Sequence, residues 1–427
     1  MELITKSSAT ASTSSPAQGA FNTGRLMDRF SNLQEEMVHH ILSFLAQRDL
    51  ARVGCVSNRC RQFQLSTPSS NFDAMPCAHF TWGRLRLLNY FDRFLIQRGN
   101  NHKQRFRICW VFTGHLVGNC DDYFRVITWI HNAARCNVEV LDLDFHSHDD
   151  RIIEVELPIC LFRCQSLKSL MVDLKFSILK TPSLACSTTL RSLKLKNLTI
   201  NEEFCKWISC SCKCLKELWL ELVHGSHIIT IESSSLESLH FSSCYFYYGS
   251  QYVGCDILYL SISGEKLEDM HLEWKAVSSN HLINIDAPKL KHFKWFARIQ
   301  NMRNSLCLEE AVFCLRARVH DIDKVMGILS SIRRVKALVL NDDTSMARLF
   351  RREQLEEVTT ELSYGGNELE FARYIFEEAK NLKKIVILYL PNQSTRTRTV
   401  NEREMNSATV VFEEKQGMPE LHRFVLR

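Results

Sequence analysis

The chain has 427 residues, 45% of them hydrophobic, and a formal net charge of +5 spread over 53 basic and 48 acidic side chains. That apolar share can build a substantial core, while the thinly spread charge lacks the concentrated basic patch of a nucleic-acid binder. The longest purely apolar stretch, IVILYL from Ile385 to Leu390, is far too short to cross a membrane.

Residues 1–24 are rich in Ser and Thr and hold no apolar core of the kind a secretory signal needs, so they read as a disordered leader. The 17 cysteines are odd in number and scattered, which fits reduced thiols in the cytoplasm or nucleus rather than a disulfide scaffold. The first patterned segment is SNLQEEMVHHILSFL, Ser31–Leu45. A Ser31–Gln34 capping box can start a helix there, and Val38, Ile41, Leu42 and Leu45 form one apolar stripe. Asp49 is a natural N-cap for a second helix carrying Leu50, Val53, Val56, Cys60 and Phe63. Two such helices, cut off by STPSSN, have little core of their own and call for a partner surface. Next comes a helix with Leu85, Leu88, Phe91, Leu95 and Ile96 at helical intervals and Gly99 as its C-cap. FRICWVF from Phe106 reads as a strand, and YFRVITWIHNAARC as an amphipathic helix.

A phrase with apolar residues at its first, fourth and sixth positions then recurs. It reads VEVLDL at Val138, LKSLMV at Leu167, LRSLKL at Leu190, LKELWL at Leu215 and LESLHF at Leu236. Weaker copies are ILYLSI at Ile257, LEDMHL at Leu267, LKHFKW at Leu290, LEEAVF at Leu308, VKALVL at Val335 and LKKIVI at Leu382. The close copies start near the period of leucine-rich repeats, and units of that kind bury their apolar face only by stacking. The fold expected is an α/β leucine-rich-repeat solenoid, or horseshoe, behind a small all-α unit.

Several features invite sharper readings. Cys205, Cys210, Cys212 and Cys214 fall in a tight cluster, but Cys212 and Cys164 occupy the same repeat phase, three residues before the first Leu, which favours small buried side chains over zinc. His146 in HSHDD and His224 in HGSH follow strand copies and read as loop residues. Tyr245, Tyr247, Tyr248 and Tyr252 crowd one turn, and aromatic residues on a solenoid rim suit a protein target. No phosphate-cradling loop, nucleophile–base set or cofactor motif is present, so a non-catalytic role without a cofactor is expected.

Residues 28 to 64 resemble an F-box of the plant type. Asp28, Arg29, Phe30, Ser31, Leu33, Ile41, Leu42, Ser43, Phe44, Leu45, Arg48, Asp49, Ser57, Arg59 and Arg61 match its pattern in register. Gln34 stands where the family has Pro, and Cys60 where it has Trp. Leu355–Ile387 resembles the FBD region, with Gly366, Glu370, Tyr374, Ala379 and Leu382 in place. The order of parts is similar to that of the plant F-box/FBD/leucine-rich-repeat proteins. It divides the chain into the leader 1–24, an F-box 25–66, opening turns 67–135, repeats 136–345 and an FBD-like strand-helix-strand region 346–427.

The resemblance implies a subunit of an SCF ubiquitin ligase. The F-box would bind a Skp-type adaptor and, through it, a cullin, while the repeats would hold a protein target. Leu33, Val38, Ile41, Leu42, Leu45, Leu50, Val53, Val56 and Cys60 are the implied adaptor-binding residues. A scaffold with a weakened F-box, a ligand-sensing F-box receptor and, more distantly, a metal-dependent enzyme are the alternative readings.

Overall fold

The computed structural model describes residues 30, 33–45, 47–73, 81–112, 121–147, 154–180, 189–225, 227–243, 246–248, 251–253, 257–274, 282–297, 310–313, 337–340, 357–361, 383–389 and 409–414. The chain divides into two compact units, Met1–Gln64 and Leu65–Arg427.

The first unit contains three helices where two were expected: α1 Glu35–Ser43, α2 Gln47–Gly54 and α3 Asn58–Ser66. The break falls at Ser57, whose Oγ accepts from the Cys60 N–H at 3.1 Å and so caps α3. Asp49 is not a cap: it lies in the first turn of α2, where it pairs with Arg52 at 3.0 Å and its charge suits the helix N-terminus. α1 is capped by Gln34, which makes no side-chain capping bond. Ser31 lies outside the described residues. Val38, Leu42, Leu50 and Phe63 form a small core, with Phe30, Leu33, Leu45 and Val53 packed against it.

The second unit opens with strand Ser69–Asp73, α4 Thr81–Arg98, strand Arg105–Phe112 and α5 Asp121–Arg135. α4 ends as its sequence dictates. Gly99 takes φ +66°, and its N–H donates to the Leu95 carbonyl at 3.2 Å. Leu88, Phe91, Phe94 and Leu95 point inward, whereas Leu85 and Ile96, expected on the same stripe, face outward. An aromatic cluster fills this end of the core, with Phe72 stacked on Phe91 at 4.0 Å and Trp129 edge-on to Phe72, Phe91 and Trp110 at 5.3–5.4 Å. Each such side chain stabilises by about 1.5–3 kcal/mol on burial. The Trp129 indole N–H donates to Asp92 at 2.7 Å, and Arg84 pairs with Asp122, so polar clamps also join α4 to α5.

The repeat phrase becomes a parallel sheet. Its path runs through Ser69–Asp73, Arg105–Phe112, Val140–Ser147, Ser169–Leu179, Ser192–Ile200, Glu217–Glu221, Ser238–Ser243, Asp269–Trp274, His292–Ala297, Glu310–Phe313, Ala337–Leu340, Glu357–Glu361, Lys384–Tyr389 and Thr409–Glu414. The phase of the phrase is kept across it: Leu141, Leu170, Leu193, Leu218, Leu239, Met270 and Phe293 are register partners in succession. All seven are buried, as are the first-position residues Val138, Leu167, Leu190, Leu215, Leu236, Leu267 and Leu290. Cys164 and Cys212 are buried in their shared phase. After the short α6, Ile159–Phe162, comes α7, Glu202–Ser211, which carries Cys205 buried and Cys210 exposed.

One copy is elsewhere. ILYLSI forms strand Tyr259–Ser263 in a separate three-stranded parallel sheet, between Ile228–Glu232 and Leu282–Asp286. The neighbour of LESLHF in the long sheet is therefore LEDMHL. An alternating pattern fits either sheet, and strand pairing alone chooses.

Two side-chain ladders accompany the leucines. In three copies the residue before the first Leu carries a hydroxyl: Ser166 donates to the Val138 carbonyl at 3.0 Å, Thr189 to Leu167 at 3.0 Å and Ser235 to Leu215 at 2.8 Å. The residue after it is charged, giving Lys168–Glu139 at 2.6 Å, Lys216–Glu237 at 2.7 Å and Lys291–Glu268 at 2.8 Å. The hydroxyls satisfy backbone carbonyls between turns, and the exposed pairs, screened by solvent, add little.

The FBD-like helix, with Gly366, Glu370, Tyr374, Ala379 and Leu382, lies outside the described residues; strands Glu357–Glu361 and Lys384–Tyr389 flank it in sequence and pair in parallel.

Candidate protein-binding surfaces

The nine residues read as one adaptor-facing surface separate by burial. Val38, Leu42, Leu50 and Cys60 are buried within the chain itself, and Leu33, Leu45 and Val53 pack against that core. Only Ile41 and Val56 stay open, at 42% and 77% exposure, and with them Met37 at 52% and Phe44 at 76%. The reason is local. Three short helices must bury something against each other, and the i, i+4 pair Val38 and Leu42 is the part of the α1 stripe that faces α2 and α3. Phe44 lies just beyond the end of α1 with His40 edge-on at 5.0 Å, and Val56 sits in the break between α2 and α3. Met37 and Phe44 were legible as apolar residues, but their exposure was not.

On the second unit the outward face of the long sheet carries its own chemistry. Along one register row stand Arg107, Asp142, Met171, Lys194, Trp219, His240, His271 and Lys294. Two residues further along the strands the row is Asp73, Cys109, Asp144, Asp173, Lys196 and Glu221. The early strands are thus acidic, the middle ones basic and aromatic.

In the acidic part, Arg107 reaches Asp142 at 3.6 Å and Asp144 at 3.2 Å. Burial, more than any neighbouring charge, holds the Asp142 carboxyl above its ordinary value, and burial with Asp144 beside it pushes the Cys109 thiol up to about 12. Asp173 is a hub, accepting from Asn197 at 3.1 and 3.2 Å and from the Lys175 ammonium at 3.0 Å. Lys175 and Asn197 both have positive φ, 45° and 48°, so Asp173 secures the irregular backbone inside two successive strands, where their register shifts between Asp173 and Ser177.

In the middle, Trp219 stacks on His240 at 3.8 Å, His271 meets His240 edge-on at 4.3 Å, and the Lys194 ammonium lies 5.4 Å from the Trp219 ring. Burial and the neighbouring His271 lower the His240 pKa to about 4, so the stack is held by neutral rings at physiological pH. Trp219 is 38% exposed, an aromatic anchor open to a partner. The sequence showed the Trp and His residues without showing that strand register aligns them.

The tyrosine-rich turn forms an antiparallel hairpin of Phe246–Tyr248 and Gln251–Val253, with Tyr247 opposite Tyr252. Tyr248 lies opposite Gln251, and Tyr245 falls outside the described residues. His146 lies within strand Val140–Ser147 and His224 within the two-residue strand His224–Gly225, so neither sits on the loop expected for it. Among the described residues, no helix is long and apolar enough to cross a membrane.

Residues 126–341 match the family model for the LRR repeats of FBD-associated F-box protein At5g56370, and residues 30–69 match the F-box domain. FBD-associated F-box protein At5g56380 of Arabidopsis thaliana is 26% identical over 202 residues, covering 46% of this chain and 44% of its own length. Putative F-box/LRR-repeat protein At5g38386 of the same plant is 30% identical over 126 residues, 27% of this chain and 29% of its own. Putative F-box/FBD/LRR-repeat protein At5g22610, also from Arabidopsis thaliana, is 23% identical over 419 residues, covering 89% and 74%. The chain thus spans less than half the length of the first two relatives and more of the third.

Proposed function

This chain belongs to the FBD-associated F-box proteins with leucine-rich repeats, and from that premise we propose that it is the non-catalytic, substrate-recruiting subunit of an SCF ubiquitin ligase. In this reading the three-helix unit docks on a Skp-type adaptor and so reaches a cullin, while a solenoid built from the long sheet holds a protein target. The boundaries proposed are F-box 25–66, opening turns 67–135, repeats 136–345 curving as a horseshoe, and an FBD-like region 346–427. The site of action proposed is the cytoplasm or nucleus.

One observation carries the adaptor half. Met37, Ile41, Phe44 and Val56 leave large apolar surface open on a unit of three short helices, and desolvating it against a groove supplies the driving force for docking. Val38, Leu42, Leu50 and Cys60 then act indirectly, by holding the helices in place. The exposed Trp219 stack and the Tyr247–Tyr252 hairpin are the proposed target contacts.

The test uses the full chain and purified adaptor. Ile41→Asp with Phe44→Asp should abolish capture while the helical signal by circular dichroism is kept, because both side chains are exposed. Undiminished capture would remove this mechanism. Leu42→Asp is the poorer probe: it places an unpaired charge in the unit's own core and unfolds the unit rather than interrogating the contact.

A second reading, a repeat scaffold with a weakened F-box, is favoured by Gln34, which caps α1 without a side-chain bond. It predicts that Gln34→Pro, which pre-sets the backbone at the helix start, tightens adaptor binding severalfold.

A further inference from the structure

Among the described residues, Cys109, Asp144 and His146 are the group of three metal-ligating side chains whose donor atoms all lie within 4.8 Å of one another. Cys109 and Asp144 are register partners on adjacent parallel strands, Arg105–Phe112 and Val140–Ser147, and His146 follows two residues along the same face. The Cys109 Sγ is 3.6 Å from Asp144 Oδ2, and the His146 Nε2 is 2.9 Å from Asp144 Oδ1. In a tetrahedral zinc site, bonds of about 2.0–2.3 Å set neighbouring donors roughly 3.3–3.8 Å apart, so these atoms need to move by less than the width of an atom. Cys109 and Asp144 lie where their strands are paired on both sides, and His146 is paired on one side with Val111, which preorganises the donors.

The surroundings favour a cation. Asp73, Asp142 and Asp173 stand beside the triad in the register rows, against the positive charges of Arg105, Arg107, Lys175 and Lys196, the last of which pairs with Glu221. Asp142 Oδ1 is buried without a hydrogen-bond partner. Sulfur, imidazole nitrogen and one carboxylate oxygen together form a donor set that suits zinc better than the all-oxygen sets of magnesium or calcium.

We propose that Cys109, Asp144 and His146 form a zinc-binding site on the outward face of the sheet, with a fourth position open to water. Binding forms the Zn–S, Zn–N and Zn–O bonds and releases the Cys109 thiol proton to solvent; no electron transfer is involved. Arg107, 3.2 Å from Asp144, occupies the carboxylate in the metal-free protein and swings away toward Asp142 when the metal enters. The site crosslinks the second and third strands of the sheet next to the acidic patch, so zinc stiffens that end of the surface.

The test is cobalt titration of the chelator-stripped full chain. One equivalent of Co²⁺ should give visible d–d bands and a near-ultraviolet thiolate charge-transfer band, both removed by added Zn²⁺. Cys109→Ser should lose the charge-transfer band, and Asp144→Asn and His146→Gln should each weaken binding at least about tenfold. Cys160→Ser, a substitution at another free and partly exposed thiol, should leave the spectrum unchanged. Absence of a thiolate band in the wild type, or its survival in Cys109→Ser, overturns the proposal. Circular dichroism of each metal-free variant checks folding, and if Cys109→Ser does not fold, the Asp144→Asn and His146→Gln titrations decide.

Discussion

The strands of the long sheet are alike from end to end, but what backs them changes. Among the described residues, the returns up to Ser211 are the helices α4, α5, the short Ile159–Phe162 and α7; from Ile228 they are the strands Ile228–Glu232, Tyr259–Ser263 and Leu282–Asp286. At the changeover α7 lies against Ile228–Glu232, with the Ser209 hydroxyl accepting from the Glu232 N–H at 3.0 Å. The two devices cover the same height. The ten residues of α7 rise about 15 Å at about 1.5 Å each, and a five-residue return strand spans about 16 Å at about 3.3 Å each. A strand return therefore uses fewer residues and buries two branched aliphatic side chains, such as Ile229 and Ile231 or Leu260 and Ile262, whereas a helix return buries large aromatics such as Phe204 and Trp207. The repeat phrase specifies the front of each turn and leaves the back free to vary.

This contrast can be broken at either end. Trp129→Ala, in the helix-backed part, should cost about 3–5 kcal/mol and remove hydrogen-exchange protection from the strands of residues 69–145. Leu260→Ala, in the strand-backed part, should cost about 2–4 kcal/mol and act on residues 228–286, because each turn touches mainly its neighbours. If either substitution melts both regions together, the layers are not separable. Thermal unfolding followed by exchange mass spectrometry makes the comparison.

Lys103 is a weakness peculiar to the helix-backed part. It is fully buried, its Nζ has no hydrogen-bond partner, and burial, with Arg98 nearby, lowers its pKa to about 7. Between about pH 7 and 10.5 the unfolded chain binds the proton that the folded chain does not, so stability rises with pH across that window. Lys103→Met should stabilise by on the order of 3 kcal/mol below pH 7, with the gain fading toward pH 10.5. A pH-independent gain would show that lysine charge is not its origin.

The smallest expected effect lies near the changeover. A Cβ at Gly225 would stand 2.2 Å from the Ile200 carbonyl oxygen, where the short strand His224–Gly225 pairs with Thr199 and Ile200. Gly225→Ala should cost about 1–3 kcal/mol by forcing that pair apart, and the melting temperature reads it. An unchanged melting temperature would mean that the turn yields without loss.

Residue spacing made much of the front of the molecule legible. The buried first and fourth positions of the phrase, the Gly99 cap and the shared burial of Cys164 and Cys212 all follow from local pattern. The hydroxyl bonds of Ser166, Thr189 and Ser235 were not legible, because Cys214, Lys266 and Lys289 hold the same phase elsewhere and each bond depends on the carbonyl of the preceding turn. Asp49 and Ser57 show the limit of local signals: both suit a cap, but Asp49 lies inside the first turn of α2 while Ser57 caps a third helix that the pattern had merged with the second.

By itself the sequence determined the repeating strand, the helical unit before it and the resemblance that joins them, because alternation and helical period are properties of neighbouring residues. Tertiary structure alone decided that ILYLSI pairs at the back, that Val38 and Leu42 close a private core while Ile41, Phe44 and Val56 stay open, and that Cys109, Asp144 and His146 meet. Those outcomes depend on register between strands and on which face another element covers, and neither is written in the residues of a single segment.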